Sequence, residues 1–190
     1  MECSINFAAD ERERNEKKEW RKEKKVRKEK LKTLSEWKND LQKVINAIVR
    51  VIDYGQPCIA TGNYEGKMNA GHYLSVGSND TLRFHLDNIH IQSEHSNQYK
   101  GGDTIRYQDG IVKVYGKEYL DFMDNLKAHP PIKLTVLEVK NLISKARHIK
   151  KGLEFEELTP KQRISKRLEI NLELGIYQYL SDNYDLLENN

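Results

Sequence analysis

Apolar runs are short throughout this 190-residue chain, and none approaches the roughly 20 residues that a bilayer-spanning helix needs. The opening residues, MECSINFAADERER, lack the apolar centre of a secretory signal. Cysteine is equally scarce. Cys3 and Cys58 alone give no disulfide framework and suit a reducing compartment. Hydrophobic residues make up 37% and charged residues 32% of the chain, so the core is small. These absences exclude a membrane span and a disulfide-stapled secreted scaffold. What is left is a cytoplasmic chain with one modest domain plus appendages, or two very small ones. No internal repeat is visible.

Charge is abundant but unevenly placed. Residues 11–32, ERERNEKKEWRKEKKVRKEKLK, hold twelve Lys/Arg against six Glu, an excess larger than the net +3 of the whole chain. The remainder is therefore net acidic. Neither Gly nor Pro interrupts the segment, and its residues favour helix. Trp20 and Val26 stand almost alone as apolar residues, so such a helix cannot bury itself. Two readings stay open: a solvated charged helix, or an arm that contacts phosphates. On the second reading the candidate DNA contacts are Arg21, Lys22, Lys24, Lys25, Arg27 and Lys28.

From Leu31 the pattern changes. Leu31, Leu34, Leu41, Val44, Ile45, Ile48 and Ile52 recur at three- and four-residue steps, which predicts an amphipathic helix ending near Gly55 and Pro57. Its apolar stripe packs on the following core or on a second copy of the chain.

Four of the six histidines, His72, His85, His90 and His95, fall within residues 69–102. MNAGHYLS and TLRFHL read as strands separated by the turn VGSND, with Leu82, Phe84 and Leu86 alternating inward and His85 facing solvent. Asp87 reads as an N-cap, and NIHIQSEHSNQYK as a helix ended by Gly101 and Gly102. Strand, turn, strand and helix make a ββα unit, too small to be stable without flanking helices or a metal.

His72 at the end of the first strand, Asn88 opening the helix and Asn97 nine residues further resemble the HNH (ββα-metal) nuclease motif. In that motif a strand histidine activates water, the middle asparagine pins the loop, and a helix His or Asn binds a divalent ion. The chemistry is coherent. A base for phosphodiester hydrolysis must be neutral near pH 7, as imidazole is, and a hard cation offsets charge on the phosphate. PCIATG, AGHYLSVG, LRFHLDNIHIQSEHSN and YKGG together resemble the lambda-phage NinG (Rap) recombination proteins, over roughly Asp53 to Tyr119.

That resemblance implies a phage-encoded endonuclease, working in the cytoplasm of a bacterial host, that cuts branched recombination intermediates such as Holliday junctions and D-loops. It also implies a homodimer. Carried over by position, His72 is the candidate general base and Asn88 the structural asparagine. Asn97 and His90 are candidate ligands of one Mg²⁺ or Mn²⁺ ion. Arg83 and Lys100 are candidate DNA contacts, and Arg83 alternatively pairs with acidic neighbours. Tyr73 and Tyr99 either stack on bases or pack. The family's four zinc-knuckle cysteines correspond here to Cys58, Thr61, Ser93 and Ser96. Neutral hydroxyls are poor zinc ligands, so no structural zinc is expected and the CIATGNYEG turn must be held by hydrogen bonds. Gly71 stands where many HNH enzymes place another ligand.

Further along, a short helix is predicted over Lys117–Lys127, closed by Pro130 and Pro131. A second opens at a Thr135/Glu138 capping box and ends at Gly152. A third starts at Pro160 and runs to Tyr184, followed by the tail LLENN. The basic start of the third, KQRISKR, is either a second phosphate-contact surface or a solvated face.

The expected fold is α+β, a small ββα-metal (HNH-like) unit embedded between long N-terminal and C-terminal helices. Its parts are a basic arm (1–30), an amphipathic helix (31–56), the HNH-like core (57–116) and a helical C-terminal region (117–190). The expected function is metal-dependent cleavage of branched or double-stranded DNA. The alternative is a non-catalytic branched-DNA binder descended from such a nuclease.

Overall fold

Helices α1 (Glu2–Lys30) and α2 (Leu34–Ile52) open the chain. The computed structural model describes residues 2–99, 103–128 and 131–177. Lys100, Gly101, Gly102, Pro130, the stretch through Tyr184 and the LLENN tail lie outside them, as does the side chain of Tyr99. Two compact units are present, residues 1–37 and 38–190. Among the described residues no helix is long and apolar enough to cross a membrane.

The first unit is dominated by α1, whose residues 11–30 are all exposed. Its glutamates pair with cations one turn away: Glu13 with Lys17, Glu19 with Lys22 at 2.7 Å, and Glu23 with Arg27 at 3.9 Å. Such pairs contribute a few tenths of a kcal/mol each, about enough to bias an isolated helix. The helical pattern expected from Leu31 is interrupted there, and Leu31 is 81% exposed. Thr33 and Glu36 then cap α2 reciprocally. The Thr33 amide donates to Glu36 Oε2 (2.8 Å) and the Glu36 amide to Thr33 Oγ1 (3.3 Å).

The second unit is helix-rich α+β. The buried face of α2 is Leu41, Ile45, Ile48, Val49, Val51 and Ile52. It shares Leu41, Ile45, Ile48 and Ile52 with the expected stripe, whereas Leu34 is exposed and Val44 half-buried. The chain turns after Asp53, with Gly55 at φ +73°. A two-stranded antiparallel sheet follows, β1 (Met68–His72) and β2 (Ile89–Ser93), with Gly71 opposite His90 and His72 opposite Ile89.

Here the sequence expectation needs correction. The second strand is not Leu82–Leu86, and the helix expected from Asn88 is instead a single 3-10 turn (Leu86–Asn88) followed by strand at Ile89–Ser93. Residues 80–88 form successive tight turns, with Arg83, His85 and Asn88 amides donating to the carbonyls three residues back. The amides of Phe84 and Leu86, which a strand would spend on a neighbour, donate instead to the Tyr177 hydroxyl and to Asn171 Oδ1. The alternation of Leu82, Phe84 and Leu86 does report burial, but burial by turns. His85 is also buried rather than solvent-facing, packed against Tyr177. Asp87 is no helix cap, because its carboxylate accepts from Tyr119 (2.5 Å) and Asn171 (3.0 Å). Every residue of β2 is buried, which removes the polar face that would mark it as a strand. The helix proper, α3, is Glu94–Tyr99.

Helix α4 (Thr104–Tyr115) has no counterpart in the sequence expectation, and Gly110 in its middle accounts for both its concealment and its packing. A Cβ at Gly110 would lie 1.7 Å from the Ile59 carbonyl oxygen, so only glycine lets the helix approach the residue 58–62 turn. After α4 come α5 (Lys117–Asn125), α6 (Val136–Gly152) and α7 (Pro160–Leu174). Helix α6 carries the expected Thr135/Glu138 capping box, and α7 has one from Thr159 and Gln162 with Pro160 in its first turn. Helix α7 stops short of Tyr184, at Gly175 in the left-handed conformation (φ +73°).

The buried face of α7 holds Arg163, Arg167 and Asn171 beside Ile170 and Leu174. KQRISKR is thus not a phosphate-contact surface at its two arginines. Arg167 Nη2 donates to both oxygens of Asp53, at 2.7 and 2.8 Å, and its Nε donates to the Leu86 carbonyl. Arg163 donates to the Tyr115 hydroxyl and the Leu158 carbonyl.

The close approach at Gly110 gives a direct test. Gly110→Ala forces a methyl group into a backbone carbonyl that cannot rotate away, so urea unfolding should show a loss of about 3 kcal/mol or more. A change below about 0.5 kcal/mol would mean that α4 does not approach the turn this closely.

Candidate functional site

His72 closes β1, and its ring nitrogen Nε2 lies 2.9 Å from the Arg83 carbonyl oxygen. A carbonyl only accepts, so Nε2 carries the hydrogen and Nδ1 is left as the lone pair. Burial lowers the pKa of His72 most. The carbonyl contact opposes that shift and the nearby Arg83 cation adds to it, for a net value below the ordinary 6.5. The imidazole is therefore neutral at pH 7.

The loop that carries this geometry is fastened by Asn88. Its Oδ1 accepts from the Leu74 amide (2.8 Å), and its Nδ2 donates to the carbonyls of Leu74 and Leu82, each at 3.1 Å. Its backbone carbonyl accepts from the Tyr73 amide (2.8 Å). One buried side chain thereby joins both ends of residues 74–82, the segment that presents the Arg83 carbonyl. Asn88 ends the 3-10 turn just before β2, not at the head of an α-helix, and acts on backbone.

Asn97, on α3, lines a cavity of about 440 Å³ with His72, Tyr73, Leu74, Ser75, Val76, Ser78 and Thr104. His72 and Asn97 are thus brought to one place, together with hydroxyls from Ser75, Ser78 and Thr104. Amide and hydroxyl oxygens are hard donors and suit Mg²⁺ or Mn²⁺, which retain several waters. Among the described residues no group of three or more His, Cys, Asp or Glu is placed to hold a metal. A divalent ion seated here would use Asn97 and complete its shell with water and substrate oxygens.

His90 does not join this cavity, which corrects its expected place beside Asn97. It sits on β2, 1% exposed, and lines a separate cavity of about 340 Å³ with Arg106, Lys113, Tyr115 and Arg163. The Tyr107 hydroxyl donates to the Gly71 carbonyl (3.1 Å) and accepts from His90 Nδ1 (3.0 Å). Burial, then the Arg167 and Arg163 cations, hold the pKa of His90 well below 6.5. It is a neutral core histidine.

Arg83 takes the ion-pairing alternative. Its guanidinium donates to Asn39 Oδ1 (2.6 Å) and lies 3.7 Å from Asp80. Tyr73 packs: its hydroxyl donates to Asp124 (3.0 Å) and accepts from Gln108. His95 is exposed. A Cβ on Gly71 would fall 2.0 Å from Gln92 Oε1, so any side chain there displaces Gln92.

Cys58, Thr61, Ser93 and Ser96 gather at one point. The Cys58 amide donates to the Asn63 carbonyl and the Gly62 amide to the Cys58 carbonyl. Burial alone would raise the Cys58 thiol, but hydrogen bonds with Ser93 and Thr61 outweigh it and leave its pKa below the ordinary value. The Ser96 amide donates to Ser93 Oγ, and Gln92 Nε2 donates to Ser96 Oγ. The turn is held by hydrogen bonds.

Sequence reasoning missed the Arg83 carbonyl, which no side-chain pattern reveals, and the hydroxyls of Ser75, Ser78 and Thr104. VGSND does advertise a polar turn at one of them, Ser78.

Comparison with known proteins decides the family. The family described as "Bacteriophage Lambda NinG protein" matches residues 3–156. The chain belongs to the NinG family. Proteins named "Protein ninG" from Escherichia phage lambda and Enterobacteria phage H19B are each 34% identical over 102 residues, 53% of this chain and 50% and 51% of theirs. The ninG protein of Salmonella phage P22 is 33% identical over 102 residues, again 53% of this chain and 50% of its own. The chain spans about half the length of the relatives it matches. No solved structure matches it. The NinG match ends before α7, which supplies Arg163, Arg167 and Asn171.

Asn88→Ala removes at once three hydrogen bonds to backbone, one buried at Leu82 and two half-buried at Leu74. Urea titration should register a loss of roughly 2–4 kcal/mol, and the Leu74 amide should exchange its hydrogen much faster. A Leu74 amide as protected as in the parent would show that Asn88 does not fasten this loop.

Proposed function

We propose that this NinG-family chain is a divalent-metal-dependent endonuclease of the HNH type, acting on branched or double-stranded DNA. The observation that carries the reading is His72. Its Nε2 hydrogen is committed to the Arg83 carbonyl, its pKa is held below the ordinary value, and it shares a cavity with Asn97. The order strand, pinned loop, strand, helix supports the same reading.

In the proposed reaction Nδ1 of His72 takes a proton from water as the water oxygen attacks phosphorus. The bond from phosphorus to the leaving sugar oxygen breaks, and that oxygen takes a proton from solvent. Nε2–H stays on the Arg83 carbonyl throughout, which keeps the ring oriented and stabilises the imidazolium as it forms. Asn88 keeps that carbonyl in place. Asn97 would hold Mg²⁺ or Mn²⁺, which when bound supplies charge compensation at the phosphate. The exposed cations of α1, among them Arg21, Lys24, Lys25 and Lys28, add sequence-independent phosphate contact. Lys22 and Arg27 share their charge with Glu19 and Glu23. A homodimer provides the two symmetric cuts that a four-way junction requires.

A second reading, a DNA-structure binder without catalysis, is favoured by one observation: no carboxylate lines the cavity among the described residues. A labelled four-way junction with Mn²⁺ separates the two. His72→Ala should lower cleavage by about 10²–10⁴-fold while junction binding is retained. The acid limb of the parent's rate profile should lie below pH 6.5, because the base is active only when unprotonated. Undiminished cleavage by His72→Ala contradicts the assignment of the base. Binding without cleavage by the parent selects the second reading.

A further inference from the structure

Helix α6 differs from α1 in how its charges are arranged. Lys140, Lys145, Arg147, Lys150 and Lys151 are all exposed, and Glu138 is the one carboxylate within the helix. That carboxylate is already engaged, because it accepts from the Thr135 amide and hydroxyl at 2.7 Å each. In α1, by contrast, glutamates neutralise neighbouring cations turn by turn. Among the described residues Lys145, Arg147, Lys150 and Lys151 form no ion pair. Arg147 and Lys151 stand one turn apart, a spacing at which like charges destabilise a helix. Across Lys145, Arg147, Lys150 and Lys151 the charge is therefore not compensated by an ion pair, and the Arg147–Lys151 spacing works against the helix although the last-turn place of Lys150 and Lys151 favours it.

The opposite face fixes the helix in place through Val139, Ile143, Ala146 and Ile149, all buried. Lys140, Ser144, Arg147 and Lys151 then follow one outward line, at steps of four, three and four residues. At 1.5 Å per residue the line is about 16 Å long, comparable with several successive phosphates along one strand of a duplex. The exposed apolar residues of α6, Val136 and Leu137, both lie in its first turn, so the rest of the face lacks the apolar half that lets an interfacial helix enter a lipid surface.

We propose that the outward line of α6, Lys140, Arg147 and Lys151 with Ser144 between them, docks against the phosphate backbone of DNA, as an anchoring surface separate from the His72 cavity. The choice of DNA as the polyanion rests on the nuclease reading; the line of cations does not. The anchor holds duplex by charge and not by base sequence, and it releases counterions as it binds.

The test measures binding of the full chain to duplex DNA in EDTA, across a series of salt concentrations, so that cleavage plays no part. The triple variant Lys140→Gln/Arg147→Gln/Lys151→Gln leaves the buried face intact. The slope of log affinity against log salt should flatten by about 0.9 for each phosphate no longer neutralised. For the triple variant that amounts to roughly two to three in all, with binding about tenfold weaker or more at about 0.1 M salt. A control variant, Lys43→Gln/Lys67→Gln/Lys113→Gln, removes the same charge from other exposed sites and should change the slope by less than about one. Equal changes in the two variants would reduce the effect to net charge and overturn the proposal, as would an unchanged slope in the α6 variant. Failure of the parent to bind DNA, with binding to phosphatidylserine vesicles instead, overturns it too. The comparison of the two variants does not bear on whether His72→Ala abolishes junction cleavage, so the anchor can fail while the nuclease reading stands; a parent that binds no DNA would count against both.

Discussion

The buried ion pair between Asp53 and Arg167 is the constraint on which the rest of the second unit depends. Both side chains are withdrawn from water, Arg167 completely. Taking two charges out of water costs several kcal/mol per ion, and their attraction repays this only with good geometry and further hydrogen bonds. Those bonds are present. Asp53 also accepts from the Ile91 amide (2.9 Å), and Arg167 also reaches the carbonyls of Leu86 and Ile89. A pair tied only to itself would leave the surrounding chain free. This one ties the end of α2, the turn before β2, β2 itself and α7 to a single point.

The site follows from that knot. With Ile89 and Ile91 fixed, β2 presents its antiparallel partner positions, and His72 is set opposite Ile89. Asn88 precedes the knotted strand by one residue, so its side chain has a fixed base from which to fasten Leu74 and Leu82. The loop it fastens returns the Arg83 carbonyl to His72. The tautomer of the imidazole is thus decided by a charge pair that never touches it, through a strand and an asparagine. Tyr119 and Asn171, both donating to Asp87, hold the intervening turn against α5 and α7.

Much of this is legible in the sequence wherever local chemistry dominates. Thr135 with Glu138, Pro160 in a first turn and the stripe from Leu41 to Ile52 each announce an element within a few residues. His72, Asn88 and Asn97 stand out as a set from their spacing, and two of the three line one cavity while the third holds the loop beside it. What cannot be read locally depends on distant partners. Phe84 and Leu86 look like strand residues until Tyr177 and Asn171 take their amides. Residues 89–93 lose their alternation because both faces are covered, and an acidic residue just before them imitates a helix cap. Arg163 and Arg167 look like surface cations because Asp53, more than a hundred residues earlier, cannot be paired with them by local pattern. Gly110 lowers the helix propensity of residues 104–115, yet it is the residue that lets α4 pack against Ile59.

A double-mutant cycle on Asp53 and Arg167, followed by urea unfolding, tests this account most directly. Asp53→Asn and Arg167→Met should each cost about 3–5 kcal/mol, because each strands the other partner as a buried uncompensated group. The double variant should lose clearly less than the sum, with a coupling above about 1.5 kcal/mol. Losses that add to within about 0.5 kcal/mol would show that the two charges do not act as a unit, and would contradict the claim that their pairing organises the strand on which the site is built.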